Sequence, residues 1–113
     1  MKPSRLASLQ RQYQCLRQSL PRIGYISQGS VLDRSTLKSP RRGYQWTRKV
    51  ARKTITVALS PEQFQGLAQA VRNRKALNKT VQQMERISRE ILFASLPDAR
   101  RRKSLAPKVL GLI

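Results

Sequence analysis

Arg48, Lys49, Arg52 and Lys53 fall within one stretch, GYQWTRKVARKTITVALSPEQ (Gly43 to Gln63), which holds no acid before Glu62. Guanidinium and ammonium groups at this density suit one task above others, the binding of phosphates, bidentate from Arg and as a point charge from Lys. Gln45, Thr47 and Thr54 stand among them, small polar groups that let a backbone come close to a ligand. Arg72, Arg74, Lys75 and Lys79 follow downstream, and Arg41-Arg42 and Arg100-Arg101-Arg102-Lys103 form two further runs. Together these are the candidate nucleic-acid-binding residues.

The bias extends over the whole chain. Its 113 residues carry 24 Lys and Arg against 5 Asp and Glu, with no His and a formal charge of +19. Nine cations precede Tyr44 beside the single Asp33, four lie in the hairpin region, six lie between Pro61 and Ser95, and five follow. Like charges this dense repel one another in the compact state, and a polyanion that sheds counterions on binding removes that cost. DNA or RNA is therefore the expected partner, with no role for a membrane.

The same composition argues against catalysis. Five acids and no His leave few groups for proton transfer. Asp33, Glu62 and Asp98 fall in an expected strand, a helix start and a tail, which is no carboxylate cluster for a metal. Tyr13, Tyr25 and Tyr44, with arginines nearby, have the parts of a recombinase nucleophile, but packing accounts for Tyr13 and Tyr44. The single Cys15 makes neither an internal disulfide nor a zinc site, and its apolar neighbours predict a small buried hydrophobe. No metal, no cofactor and no enzymatic activity are expected. The length fits one small domain with a modest core.

Leu6, Leu9, Tyr13, Leu16 and Leu20 recur at spacings of three and four, which predicts an amphipathic helix over about 4–20, ended by Pro21. The first 30 residues also share traits with an organelle transit peptide, being basic and acid-free; the helical stripe explains the pattern as well, no secretory segment is seen, and a cytoplasmic location is expected. A short strand is expected around Ser30 to Leu37, followed by a loop at KSPRRG. A two-residue turn at Ala51-Arg52 would then set Val50 opposite Lys53, Arg48 opposite Ile55, Trp46 opposite Val57 and Tyr44 opposite Leu59. One face of that hairpin is apolar, with Arg48 laying its stem on it; the other holds Gln45, Thr47, Lys49, Thr54, Thr56 and Ala58. Ser60, Pro61 and Gln63 form a capping box that starts a helix over about 61–95, which Pro97 stops. At 1.5 Å per residue it would run about 50 Å, longer than a small sheet covers. Its second half therefore needs the N-terminal helix or a second copy of the chain as a homodimer partner. The expected architecture is α+β: a small antiparallel sheet of two or three strands, packed by a long C-terminal helix, with an N-terminal amphipathic helix. Residues 1–96 form the domain, with the sheet over about 30–59, and 97–113 a basic tail that is either a phosphate-binding arm or disordered.

Three uses of the hairpin compete. Its polar face can lie on nucleic acid, as an antiparallel ribbon does in the major groove of B-form DNA. The hairpin can instead be structural, with contacts made by the helix cations. Finally, Trp46 and Tyr44 can stack on unpaired bases, although their place on the apolar face favours core packing.

The stretch from Gly43 to Gln63 resembles the signature of a small, functionally uncharacterised prokaryotic family whose genes commonly lie among mobile-element genes. The likeness runs from about Gly29 to Ile87 and is specific at Trp46-Thr47-Arg48-Lys49-Val50, Lys53-Thr54 and Ser60-Pro61-Glu62-Gln63. The family's usual Cys-Gly-Lys-Pro-x-Cys-x-Cys segment is replaced here by LKSPRRGY, so no metal is implied. The family's turn Gly is Arg52, which leaves a longer loop open as an alternative to the two-residue turn. The resemblance implies an accessory subunit of a mobile-element nucleoprotein complex and supplies no reaction. The alternatives are an RNA-binding component of a ribonucleoprotein, and a helix-pairing protein for an acidic partner.

Overall fold

The computed structural model describes residues 3–113; Met1 and Lys2, the start of the expected 1–96 domain, lie outside the described residues. The elements run α1 (Pro3–Ser19), a 3-10 turn (Leu20–Arg22), β1 (Ser30–Asp33), a second 3-10 turn (Arg34–Thr36), β2 (Tyr44–Val50), β3 (Lys53–Leu59) and α2 (Pro61–Ser95). This is an α+β fold with a three-stranded antiparallel sheet in the order β1-β2-β3. The chain forms two compact units, one of residues 23–77 and the other made of the segment up to Arg22 with the segment from Asn78 onward. α2 contributes its first half to one and its second half to the other.

In the sheet unit, β2 and β3 pair in the register that the alternation of apolar residues predicts, from Tyr44–Leu59 to Val50–Lys53. A one-residue slip would turn every apolar side chain to the opposite face, so the pattern itself fixes the pairing. Ala51 and Arg52 close the hairpin at φ 48° and 68°. This left-handed pair matches the right-handed twist of the strands, even though neither residue is the Gly or Asn that usually fills it. β1 adds to β2 with Ser30 opposite Thr47 and Asp33 opposite Tyr44.

β1 is shorter than expected, ending at Asp33 rather than near Leu37. The Asp33 carboxylate accepts hydrogen bonds from the Ser35 amide at 3.0 Å and the Ser35 hydroxyl at 2.7 Å, which bends the chain into the 3-10 turn. Those bonds, the hydroxyl's first, hold the Asp33 carboxyl below its usual range.

The apolar face of the sheet meets the first half of α2. Tyr44 stacks on Phe64 with ring centroids 4.4 Å apart, and Ala70 and Val71 are buried. Trp46 is half-buried on this face, and its indole N–H donates to the Gln28 carbonyl at 2.9 Å. Gly29, at φ +101°, makes that approach possible: a Cβ there would overlap the Thr47 carbonyl oxygen and the Trp46 Nε1. At the helix start the Gln63 amide donates to Ser60 Oγ at 3.1 Å and the Ser60 amide donates to Gln63 Oε1 at 3.0 Å, closing the capping box reciprocally.

In the helical unit, α1 and the second half of α2 lie together. Leu9 and Ile87 are buried, and Arg5 Nη2 donates to Glu90 Oε1 at 3.0 Å. Leu6, Tyr13, Leu16 and Leu20 of the α1 stripe are half-buried. Cys15 is exposed, not the buried hydrophobe its neighbours suggested, because it stands about 100° round the helix from Leu16 and so off the stripe. Residues 97–113 fold in turns, with the Arg89 Nε–H donating to the Leu110 carbonyl. Among the described residues no helix is long and apolar enough to cross a membrane.

Two stability changes follow. Arg52→Gly relieves a left-handed Arg and should raise stability by roughly 0.5–1 kcal/mol net of glycine's own entropy, read as a higher urea midpoint. Ser60→Ala should lower stability by about 1 kcal/mol, read as a lower urea midpoint, while Ser60→Asp leaves it nearly unchanged.

Candidate nucleic-acid interface

Period-two alternation sorts the expected contact residues onto two sides of the sheet. Gln45, Thr47 and Lys49 of β2 lie beside Ala58, Thr56 and Thr54 of β3, with Ser30 and Leu32 of β1 completing the same face. No carboxylate shares this face, since Asp33 pairs with Tyr44 on the other. Lys49, Thr54 and Thr56 are exposed, whereas Gln45 and Thr47, in the central strand, are half-buried. The outer strands are about 10 Å apart, a ribbon that fits a major groove about 12 Å wide. Short Thr side chains keep the backbone within reach of a ligand.

Arg34 is the residue that sequence reasoning missed. It follows β1 directly, and its backbone is pinned on both sides: its amide donates to the Gly43 carbonyl at 3.0 Å, and its own carbonyl accepts from the Arg41 amide at 3.2 Å. Its Nε–H donates to Gln45 Oε1 at 3.2 Å, which anchors the guanidinium to the polar face and leaves the two terminal nitrogens for a ligand. Placing Arg34 inside a longer strand hid it. The Asp33-Arg34-Ser35 order, an aspartate two residues before a serine, was the signal for a turn there.

The remaining expected residues divide. Arg52 occupies the hairpin turn, exposed, and Arg41 and Arg42 are exposed on the loop before β2. Arg48 and Lys53 are not brought to the polar face, because their register sets them with Ile55 and Val50 on the opposite side. Arg48 lies with its guanidinium carbon 5.5 Å from the centre of the Trp46 ring. Its Nε is buried without a hydrogen-bond partner among the described residues. A cation lying on an indole in this way is held by packing and charge–quadrupole attraction and contributes to the apolar face. Arg72, Arg74 and Lys75 are exposed on α2; because α2 lies on the apolar face, they belong to the other side of this unit from Lys49 and Thr54. Arg72 Nη2 donates to Gln69 Oε1 at 2.9 Å.

Lys79 and the run Arg100 to Lys103 fall in the helical unit. There Arg102 bridges to Asp98 and lies over Phe93, so its charge is already partly answered. Lys79 is exposed beside Arg86 and Arg89, a group the sequence reading did not assemble. Tyr25 is 92% exposed in the sheet unit. Among the described residues no group of three or more His, Cys, Asp or Glu stands close enough to hold a metal ion.

The surface that the fold brings together is therefore the polar face of the sheet with Arg34, Lys49 and Arg52 around it. No protein-family model, curated protein or solved structure matches the chain.

Proposed function

We propose that the protein is a non-enzymatic nucleic-acid-binding module that lays the polar face of its three-stranded sheet on duplex DNA. The carrying observation is that face: small Thr and Gln side chains, an exposed Lys49, an Arg34 tethered through Gln45, and no acid. Duplex DNA is favoured over helical RNA because a ribbon of this width enters the major groove of the B form, while the A-form groove is too narrow to admit it. The half-buried Trp46, its N–H spent on Gln28, favours packing over base stacking. Affinity comes from phosphates neutralised by Lys49, Arg52, Arg41 and Arg42, and position from the close approach of Thr47 and Thr54.

The likeness of the Gly29–Ile87 region to the mobile-element-associated family supports a place as accessory subunit in a nucleoprotein complex of that kind. Such a protein works in the cytoplasm, where it shapes or bridges DNA for an enzyme that it does not itself contain.

Binding to duplex DNA should fall on the order of 10²-fold between about 50 and 200 mM salt as the phosphates held by Lys49, Arg52, Arg41 and Arg42 are released, read by anisotropy on labelled duplex. Lys49→Ala with Arg52→Ala should cost about tenfold or more and flatten the salt slope by nearly two ions. Arg72→Ala with Arg74→Ala and Lys75→Ala should cost less. The reverse ranking overturns the sheet-face reading in favour of the helix. Stronger competition by single strands or structured RNA than by duplex overturns the choice of DNA. Arg52→Gly separates the two properties of one residue, being the more stable protein and the weaker binder.

A further inference from the structure

The helical unit holds an open groove along α1 and the second half of α2, with a volume of about 570 Å³. Its floor is apolar, formed by Leu16 and Ile87, and Gln83 and Cys15 lie along it. Arg11 and Arg86 stand at its rim, one on each helix, both exposed. Two observations decide what fits there.

The first is packing. Two helices lying side by side bury only a narrow seam, and in this unit Leu9 and Ile87 alone are buried among the described residues. Small helical units ordinarily gain their core from a third helix laid into the furrow between the first two. The groove's lining on α1 runs from Ser8 to Leu16, about 12 Å of helix, which receives roughly two turns of a third helix.

The second is charge. Three arginines of this unit have carboxylate partners: Arg5 with Glu90, Arg89 with Glu85 and Arg102 with Asp98. Arg11 and Arg86 have none among the described residues. Of the chain's two other acids, Asp33 is hydrogen-bonded to Ser35 and Glu62 stands in the first turn of α2. A second copy of the chain would therefore bring 24 cations against five acids, four of them already hydrogen-bonded or ion-paired, to a groove rimmed by arginine. Nucleic acid would bring phosphates but nothing for Leu16 and Ile87.

We propose that this groove docks an amphipathic helix of an acidic partner protein. The partner's apolar stripe lies on Leu16 and Ile87, and its Glu or Asp residues, one on each flank, pair with Arg11 and Arg86. The groove belongs to the helical unit and the polar face to the sheet unit, and the proposal does not rest on the nucleic-acid reading.

A synthetic four-turn helical peptide serves as probe, with Leu on one stripe and Glu on both flanks. Its controls are a peptide of the same composition with the Leu scattered, and polyglutamate. Cys15, the only cysteine, reports occupancy through its rate of alkylation. At about 150 mM salt, where exposed pairs are screened, the striped peptide should bind at least about tenfold tighter than either control and slow Cys15 alkylation about fivefold or more. Arg11→Glu with Arg86→Glu should abolish that preference with the helical circular dichroism unchanged, while duplex DNA, added first, should not displace the peptide. Equal binding of the striped and scattered peptides overturns the proposal in favour of charge alone. Cys15 protection that instead rises with protein concentration and tracks dimer formation in sedimentation assigns the groove to a second copy and overturns it too. Protection by duplex DNA assigns it to nucleic acid, with the same effect.

Discussion

Five carboxylates must serve 24 cations, and most of the structure follows from how those few acids are used. In the helical unit, thirteen Lys and Arg face three acids, and all three acids are in ion pairs. In the sheet unit, eleven Lys and Arg face two, and both acids serve the backbone: Asp33 caps a 3-10 turn, and Glu62 stands in the first turn of α2. No cation of the sheet unit thus has a carboxylate partner among the described residues. Exposed ion pairs contribute ~0–1 kcal/mol each, so even the paired arginines do little to relieve the repulsion. The excess has no carboxylate to answer it within the chain.

This constraint explains the choice of residues on the sheet. A cationic hairpin that must also pack cannot turn its charges inward, so the apolar face takes the aromatic and β-branched residues and the polar face takes Thr, Gln and Lys. The two exceptions, Arg48 and Lys53, are placed where the apolar face runs out. Arg48 rests its guanidinium on Trp46, the arrangement in which a cation costs least beside hydrocarbon. Trp46 in turn is fixed by Gln28 and by the absence of a side chain at Gly29. The aromatic residue that looked available for stacking is thereby committed to holding β1 against β2, and in doing so it steadies the opposite face.

The features legible in the sequence are those fixed by short-range rules. The hairpin register follows from alternation, the start of α2 from the Ser60–Gln63 box, and its end from Pro97, and each matches the structure. The two-residue turn at Ala51-Arg52 was legible only because register outweighed turn chemistry; the residues themselves argue against it. What escaped were side-chain placements that depend on contacts far along the chain. Arg34 gains its position from Gln45 and Gly43, about ten residues away, and counting strand residues gives no hint of it. Cys15 was judged by its neighbours in sequence rather than by its angle round the helix. The arginine-rimmed groove needed two helix segments about seventy residues apart to be brought side by side.

A thin core gives these surfaces a second consequence. Only Leu9, Ala70, Val71 and Ile87 are buried apolar side chains among the described residues, while Val50, Ile55 and Val57 of the hairpin stay more than a third exposed. Hydrophobic burial at about 25 cal/mol per Å² must offset both chain entropy and the repulsion of a +19 chain. Stability of such a molecule is open to anything that binds the folded form alone, at RT ln(1 + [L]/Kd) per site. A polyanion acts twice, once through that linkage and once by screening the cations that drive the chain apart. With the proposed polyanion as partner, the surplus charge that opposes folding of the free chain is the same charge that would stabilise the bound one.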